Sequence, residues 1–321
     1  VEVVLKLVES ADGIFEGFRP GVAERLGLGP ETCLERNPAI VYGRITGWGQ
    51  DGPLAGAAGH DLNYIALTGA LHLIGELGRK PVPPLNLVGD FGGGGMLLAF
   101  GMVSGILSAR TTGEGQVIDA AMVDGVNALA SLFHGVRAMG MLDDGPGESF
   151  LGGAAHWYDT YETKDGRYVS IGSLEPQFYD LLIDKLGLDR ETFETHVFQG
   201  RVDDEVRAGW AELKPIMAEA VKKKTFDEWR DLLEGTDVCF APVLTLNEAV
   251  EHPHNVARNA FVSVNGNVQA APAPRFSETP NDHPQSGVVP GTHSRAVLES
   301  IGYTRDEIDA LIESGAVHAA G

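Results

Sequence analysis

Two short segments carry residue types able to move protons at carbon: Gly59-His60-Asp61, and thirty residues on Gly89-Asp90-Phe91, which runs into Gly92 to Gly95. Inverting a carbon that bears a weakly acidic proton takes one group to remove that proton from one face. A second group must deliver a proton to the opposite face, and a histidine and an aspartate can trade these roles according to the enantiomer bound. The negative charge that develops beside that carbon then needs preorganised backbone N–H groups or a helix terminus. Each residue also has a plain structural reading: His60 as one of ten histidines, Asp90 as a helix cap, and Asp61 as a turn residue.

The elements that would position them follow from local pattern. Leu85-Asn86-Leu87-Val88 is a short apolar run, followed by Gly89-Asp90, the glycines, and an apolar stretch from Met96 to Leu107. That order predicts strand, tight turn and helix, with Asp90 near the helix N-terminus, where free N–H groups can hold an anion. The glycines lack G-x-G-x-x-G spacing and no Lys-Ser/Thr follows them, so neither a dinucleotide fingerprint nor a phosphate loop is supported. They suit close backbone approach to a ligand or a helix. Further on, Glu175 precedes Pro176, and Phe178, Leu181, Leu182 and Leu186 recur at helical spacing, which makes Glu175 an N-cap. By itself that is an ordinary helix-start carboxylate.

The wider pattern is an alternation: a helix ending near residue 10, strand 13–18, helix 30–37, strand 39–45 and a connecting helix 120–142. Such alternation predicts a parallel α/β sheet. Then the pattern changes to a hairpin, 158–163 with 167–171 around Asp165-Gly166, followed by helices over 203–224 and 226–234. Thr245-Leu246-Asn247-Glu248 is a capping box, and Pro272, Pro274, Pro280, Pro284 and Pro290 mark an extended return stretch.

At 321 residues and 43% hydrophobic, the chain is long enough for two domains. With no eighteen-residue apolar run and no signal peptide, the expectation is a cytoplasmic protein without a membrane span. Cys33 and Cys239 lie far apart without metal-ligand spacing, so neither a disulfide scaffold nor a metal site is expected. A balance of 24 basic to 45 acidic residues, net −21, argues against a nucleic-acid partner. Any anionic ligand must then be held by local cations.

The run AGHDLNYIALTGALHLIG, then RKPVPPLNLVGDFGGGGMLLAFGMVSGILSARTTGEGQVIDAAMVDG, resembles the family III CoA-transferases, and within them the α-methylacyl-CoA racemases. The resemblance continues through WYDTYETKDGRYVSIGSLEPQFYDLLIDKLGL, CFAPVLTLNEA, APAPRFSETP and GTHSRAVLESIGYTRDEIDALIESGAV, and so spans essentially the whole chain. It implies epimerisation at C2 of 2-methylacyl-CoA thioesters, with His60 and Asp90 as the two bases, Glu175 hydrogen-bonded to the histidine, and the Asp61 backbone N–H facing the thioester oxygen. It also implies that Arg19, Arg25, Gly59, Tyr64, Asn86 and Tyr158 contact the CoA substrate, with Arg44 a weaker candidate, and that no metal and no cofactor beyond the CoA moiety takes part. Transferases of this family use an aspartate at the position of Asp61 as acyl acceptor, so CoA transfer through an aspartyl anhydride is the alternative, against which His60 stands. A non-catalytic CoA-binding remnant is a third. The fold implied is α/β: a Rossmann-like large domain from both termini (1–142, completed by 270–321) around a smaller α+β domain (152–255), in an interlocked homodimer with the active site at its interface. Family members begin with a βαβ unit that has no counterpart here, so the large domain is expected to expose sheet edges and apolar surface. Leu85, Leu87, Phe91, Met96 and Met102 are candidates for an apolar acyl surface.

Overall fold

The structure, a computed structural model, describes residues 1–142, 145–193 and 202–320. It divides into two compact units, Val1–Val243 and Leu244–Gly321. The first opens with α1 (Glu2–Val8), β1 (Gly13–Glu16), α2 (Val22–Arg25), α3 (Pro30–Arg36) and β2 (Val41–Thr46). Pro30 sits at the first helical position of α3, where its missing N–H costs nothing. Next come α4 (Asp61–Leu67), α5 (Ala70–Leu73), a π-helix (Leu87–Met96), α6 (Leu97–Thr112) and β3 (Gln116–Ala121). The strands form one parallel sheet in the order β1-β2-β3, with Gly13 opposite Val41 and Val41 opposite Gln116. The mixed α/β class with a parallel sheet is therefore as the alternation implies. Leu5, Val8, Cys33, Ile40 and Tyr42 are buried together where α1 and α3 cover β2, and the Tyr42 hydroxyl donates to Leu28 O at 2.8 Å.

Two local expectations fail. The run Leu85–Val88 is not a strand: Leu85 takes a left-handed φ of 59° and the chain enters the π-helix at Leu87. Packing decides this against β propensity. A Cβ on Gly93 would lie 2.7 Å from Val126 Cγ2, and one on Gly125 would lie 1.8 Å from Gly93 O, so the glycines let helix α7 (Met122–Leu129) rest directly on the π-helix backbone. The widened turn, in which Phe91 N–H donates to Asn86 O at 3.3 Å, is the i→i+5 bonding of a π segment. Nor is 120–142 one helix. Ala120 and Ala121 end β3, then α7 and α8 (Ser131–Ala138) follow with a break at Ala130. The strand β3, whose residues Gln116–Ala121 do not alternate cleanly between apolar and polar, pairs with β2 beside Gly115, where a Cβ would lie 1.9 Å from Ile40 O.

The π-helix and α6 run together as 26 residues with a mean hydropathy of 1.5 in their most apolar window, long and apolar enough to cross a membrane by composition alone. One side of this helix packs on the sheet, where Met102 reaches within 2.6 Å of a Cβ position on Gly43 and Val41 within 2.8 Å of one on Gly105. Sheet packing is the behaviour of a helix in a folded domain. Its other side exposes Met96, Phe100, Val103 and Leu107.

The rest of the first unit is an α+β layer. β4 (Tyr158–Glu162) and β5 (Tyr168–Gly172) make the expected hairpin, Tyr161 opposite Val169; helices α9 (Pro176–Leu186), α10 (Arg190–Phe193), α11 (Asp204–Val221) and α12 (Phe226–Leu233) follow, and β6 (Phe240–Pro242) joins β5. Trp157, Trp210 and Trp229 are buried in its core. The second unit holds α13 (Leu246–Glu251), α14 (Pro253–Ala257), β7 (Phe261–Val264), β8 (Asn267–Ala270), α15 (Ser294–Ser300) and α16 (Arg305–Glu313). Thr245 and Glu248 close the capping box at α13. The β7–β8 hairpin turns on Asn265-Gly266, both at left-handed φ (49° and 81°), an Asn-Gly signal passed over in the sequence.

The Gly93–Gly125 contact yields a test. Gly125→Ala forces a methyl into a carbonyl and is expected to cost at least about 1–3 kcal/mol as overpacking, read as a lower melting temperature, whereas Gly135→Ala, inside α8 with open space at its Cβ position, is expected to raise it slightly, alanine being the better helix former.

Candidate active site

His60 is the N-cap of α4, exposed, in extended backbone (φ −135°, ψ 172°). Its N–H donates to Asn63 Oδ1 at 3.1 Å, which fixes where α4 begins. The ring borders an open pocket of about 280 Å³, walled by Phe18, Arg19, Thr46, Trp48 and Tyr64. Two glycines make this wall possible. A Cβ on Gly47 would lie 2.0 Å from the Tyr64 ring, and one on Gly59 would lie 2.7 Å from that ring and 2.9 Å from Trp48. Trp48 and Tyr64 meet edge to face with centroids 4.8 Å apart, and the Tyr64 hydroxyl donates to Gly59 O. Burial pushes the Tyr64 hydroxyl pKa up, the negative charge of Asp90 adds to that shift, and Arg19 opposes it. Asp90 and Arg19 thus act electrostatically on one buried phenol.

Asp61, next to His60, is buried. Its Oδ2 accepts the backbone N–H groups of both Gly89 and Asp90, each at 2.7 Å. A Cβ at Gly89 would lie 2.5 Å from that oxygen, so residue 89 has room for glycine alone. Asp90, in the first turn of the π-helix and half-buried, accepts at Oδ2 from Asn86 Nδ2 at 3.4 Å. The histidine and the second aspartate are therefore joined through one intervening carboxylate.

A second pocket, about 330 Å³, begins at Val88, two residues before Asp90, and is apolar: Leu73, Ile74, Val126, Leu129 and Phe133 line it. Of the residues expected to offer an acyl surface, Leu85, Leu87, Phe91 and Met96 are exposed, and Met102 is packed beneath the sheet.

Arg44 is committed elsewhere. Its guanidinium, with a side chain 8% exposed, bonds Glu16 at 2.9 Å and Glu24 at 2.7 Å, and the second Glu16 oxygen accepts the Phe18 N–H at 2.6 Å. This network holds the segment that carries Phe18 and Arg19 into the pocket wall, a role that only long-range pairing reveals. Arg25 is exposed on α2 and does not border the pocket. Trp48 and Asn63 were missed by sequence reasoning.

Tyr158 and Glu175 lie apart from His60, in the α+β layer. Glu175 caps α9 by position without a side-chain hydrogen bond to it, and its charge, after burial, helps raise the Cys239 thiol pKa. Tyr158 and Cys239 border a cleft of about 570 Å³ along β4, β5 and β6. Within one chain, neither borders the His60 pocket.

Two outcomes check the Arg44 network. Removing one partner of a buried ion pair costs about 3–5 kcal/mol, so Arg44→Ala, which strands the 7%-exposed Glu16 side chain, is expected to lower the urea midpoint. The bond from Arg44 holds the Glu24 carboxyl below its ordinary value of 4.5. A depressed carboxyl stabilises the fold above its unfolded pKa and loses that contribution as pH falls through the folded value. The stability gap between wild type and Glu24→Gln is therefore expected to be open above pH 4.5 and to close below it.

The model of CoA-transferase family III matches residues 1–292. The α-methylacyl-CoA racemase of Mus musculus is 40% identical over 327 residues, covering 99% of this chain and 84% of the relative. That of Homo sapiens is 40% identical over 326 residues, 99% and 83% of the two chains. Among solved structures, a CaiB/BaiF family protein from Brucella suis superposes with a TM-score of 0.76 at 24% identity, over 94% of this chain and 78% of that one, a likeness of fold.

Proposed function

The chain belongs to CoA-transferase family III, and from that premise we propose that it epimerises 2-methylacyl-CoA thioesters at C2, with His60 and Asp90 as the paired acid and base. Two racemases 40% identical over almost the whole chain support the class of reaction. The observation that carries the residue assignment is the tie from His60, through Asp61, to the backbone of Asp90.

In this reading the imidazole of His60 takes the C2 proton from one face and the electron pair moves onto the thioester oxygen as an enolate. Asp90, as the carboxylic acid, returns a proton to the opposite face; the pair then holds one proton on the histidine and none on the aspartate, and solvent exchange resets it. The reverse enantiomer runs the same steps with the roles exchanged. The enolate oxygen is met by the open backbone N–H at the start of α4, that of Asp61, where charge stabilisation of several kcal/mol is typical of preorganised donors. No step calls for a metal or redox group.

Binding divides in the same way. The CoA portion lies along the pocket with Arg19, and the branched acyl chain enters the apolar pocket that starts at Val88. Tyr158 and Glu175 do not border the His60 pocket within one chain, so the reading includes a homodimer in which a second copy brings them to it. Transfer through an anhydride at Asp61 is not favoured: that carboxylate is buried and already holds two amides.

The test is proton exchange at C2 of a single-enantiomer 2-methylacyl-CoA in D₂O, followed by NMR. Deuterium uptake with appearance of the other epimer is expected, and His60→Ala and Asp90→Asn are each expected to lower inversion by at least about 100-fold, the scale of general acid–base catalysis. A folded, CoA-binding protein that exchanges no proton sinks the assignment.

A further inference from the structure

Asp61 does not fit either role that its neighbourhood suggests. An acyl acceptor must present a free oxygen to the substrate, yet Asp61 is 6% exposed and its Oδ2 is saturated by two amide donors. Its other oxygen, Oδ1, is buried with no hydrogen-bond partner among the described residues. A helix cap would bond its own helix, yet Asp61 is in the first turn of α4 and bonds N–H groups twenty-eight and twenty-nine residues away.

We propose that Asp61 is a positioning residue: its carboxylate locks the π-helix entrance onto the start of α4 and so fixes the separation and mutual orientation of His60 and Asp90. The proposal rests on the two-base reading above, and the geometry gives it three supports. The bonded N–H at the far end belongs to Asp90 itself, so no flexible link intervenes between the clamp and the second base. The near end is peptide-bonded to His60. Gly89 is confined to glycine by the clamp oxygen 2.5 Å from its Cβ position, so any side chain there drives the elements apart. Asn86 completes the arrangement by donating to Asp90 Oδ2, which restricts that side chain once its backbone is held.

The clamp needs an acceptor, not a nucleophile, and this separates the roles. An asparagine at 61 keeps a carbonyl oxygen for the two amides and places its NH₂ where Oδ1 has no partner. Alanine removes the acceptor. The full chain, Asp61→Asn and Asp61→Ala are compared in two ways. The first is inversion against α-proton exchange on one enantiomer of a 2-methylacyl-CoA in D₂O. The second is amide hydrogen exchange over residues 86–98 by mass spectrometry.

Asp61→Asn is expected to stay within about tenfold of wild type, a neutral acceptor being weaker than a charged one. Asp61→Ala is expected to lose about 100-fold in kcat, the scale of a misplaced catalytic group, with KM changed less than about threefold. In Asp61→Ala, exchange with retention rises relative to inversion, because the two bases no longer face one carbon, whereas a general loss of fold lowers both together. Amide exchange over 86–98 quickens in the alanine variant and not in the asparagine one. Asp61→Asn as inactive as Asp61→Ala, or hydroxylamine trapping of an acyl group at Asp61, overturns the proposal in favour of a nucleophile. Unchanged amide exchange in Asp61→Ala also overturns it. Should the wild type exchange no C2 proton, the racemase reading falls, and the amide-exchange comparison still decides whether Asp61 clamps.

Discussion

A single buried carboxylate oxygen with two amide hydrogens on it, from Gly89 and Asp90, connects the two segments that carry the proposed acid and base. Backbone donors excluded from water must find acceptors, since each one left unpaired costs about 1–3 kcal/mol. The π-helix entrance has such donors because no preceding turn supplies carbonyls to them. Asp61 supplies the acceptor from another element, and by doing so sets the depth at which the π-helix sits. From that depth follow the rest of the contacts: Gly93 and Gly94 face α7, and Leu98, Gly101 and Gly105 of α6 face the sheet. A side chain at 89 or 93 displaces the helix, and with it Asp90.

The pocket wall obeys the same logic of close approach. Tyr64 fills the space that Gly47 and Gly59 leave, and its hydroxyl ties back to Gly59 O, one residue from His60. Trp48 packs edge-on against it. Opposite, Arg44 holds Glu16 and Glu24, and Glu16 in turn holds the Phe18 amide. The exposed histidine therefore borders a pocket whose wall is tied together on both sides, the arrangement that the proposed base needs for a substrate that arrives from solvent.

How much of this the sequence disclosed depended on the range of the interaction concerned. The hairpin at 158–171, the helices that begin at Pro30 and Pro176 and the capping box at Thr245 are settled within a few residues, and they lie where local pattern put them. His60 and Asp90 stood out because their types and glycine-rich settings are unusual together. The π-helix did not, since Leu85–Val88 has strand composition and the contacts that seat a helix from Leu87, such as the one between Gly93 and Gly125, join residues far apart in the chain. β3 and the Arg44 network are hidden for the same reason. Asp61 was visible as a residue capable of chemistry, and its bonds to residues 89 and 90 could be read from no local pattern.

For a chain of net charge −21, the anionic thioester proposed as its substrate poses a problem of electrostatics. The solution lies in range. At physiological ionic strength the field of an exposed charge decays over about 8 Å, so the distant carboxylates of the surface contribute little inside the His60 pocket. Among the described residues that border that pocket the cation is Arg19, on a segment fixed by the Glu16–Arg44–Glu24 network, in which one guanidinium faces two carboxylates and one negative charge is left over. Arg19 also opposes Asp90 in its effect on Tyr64. One carboxylate of the wall is left uncompensated, so an anion at this mouth must be met by direct contact with Arg19 and not by the summed charge of its surroundings.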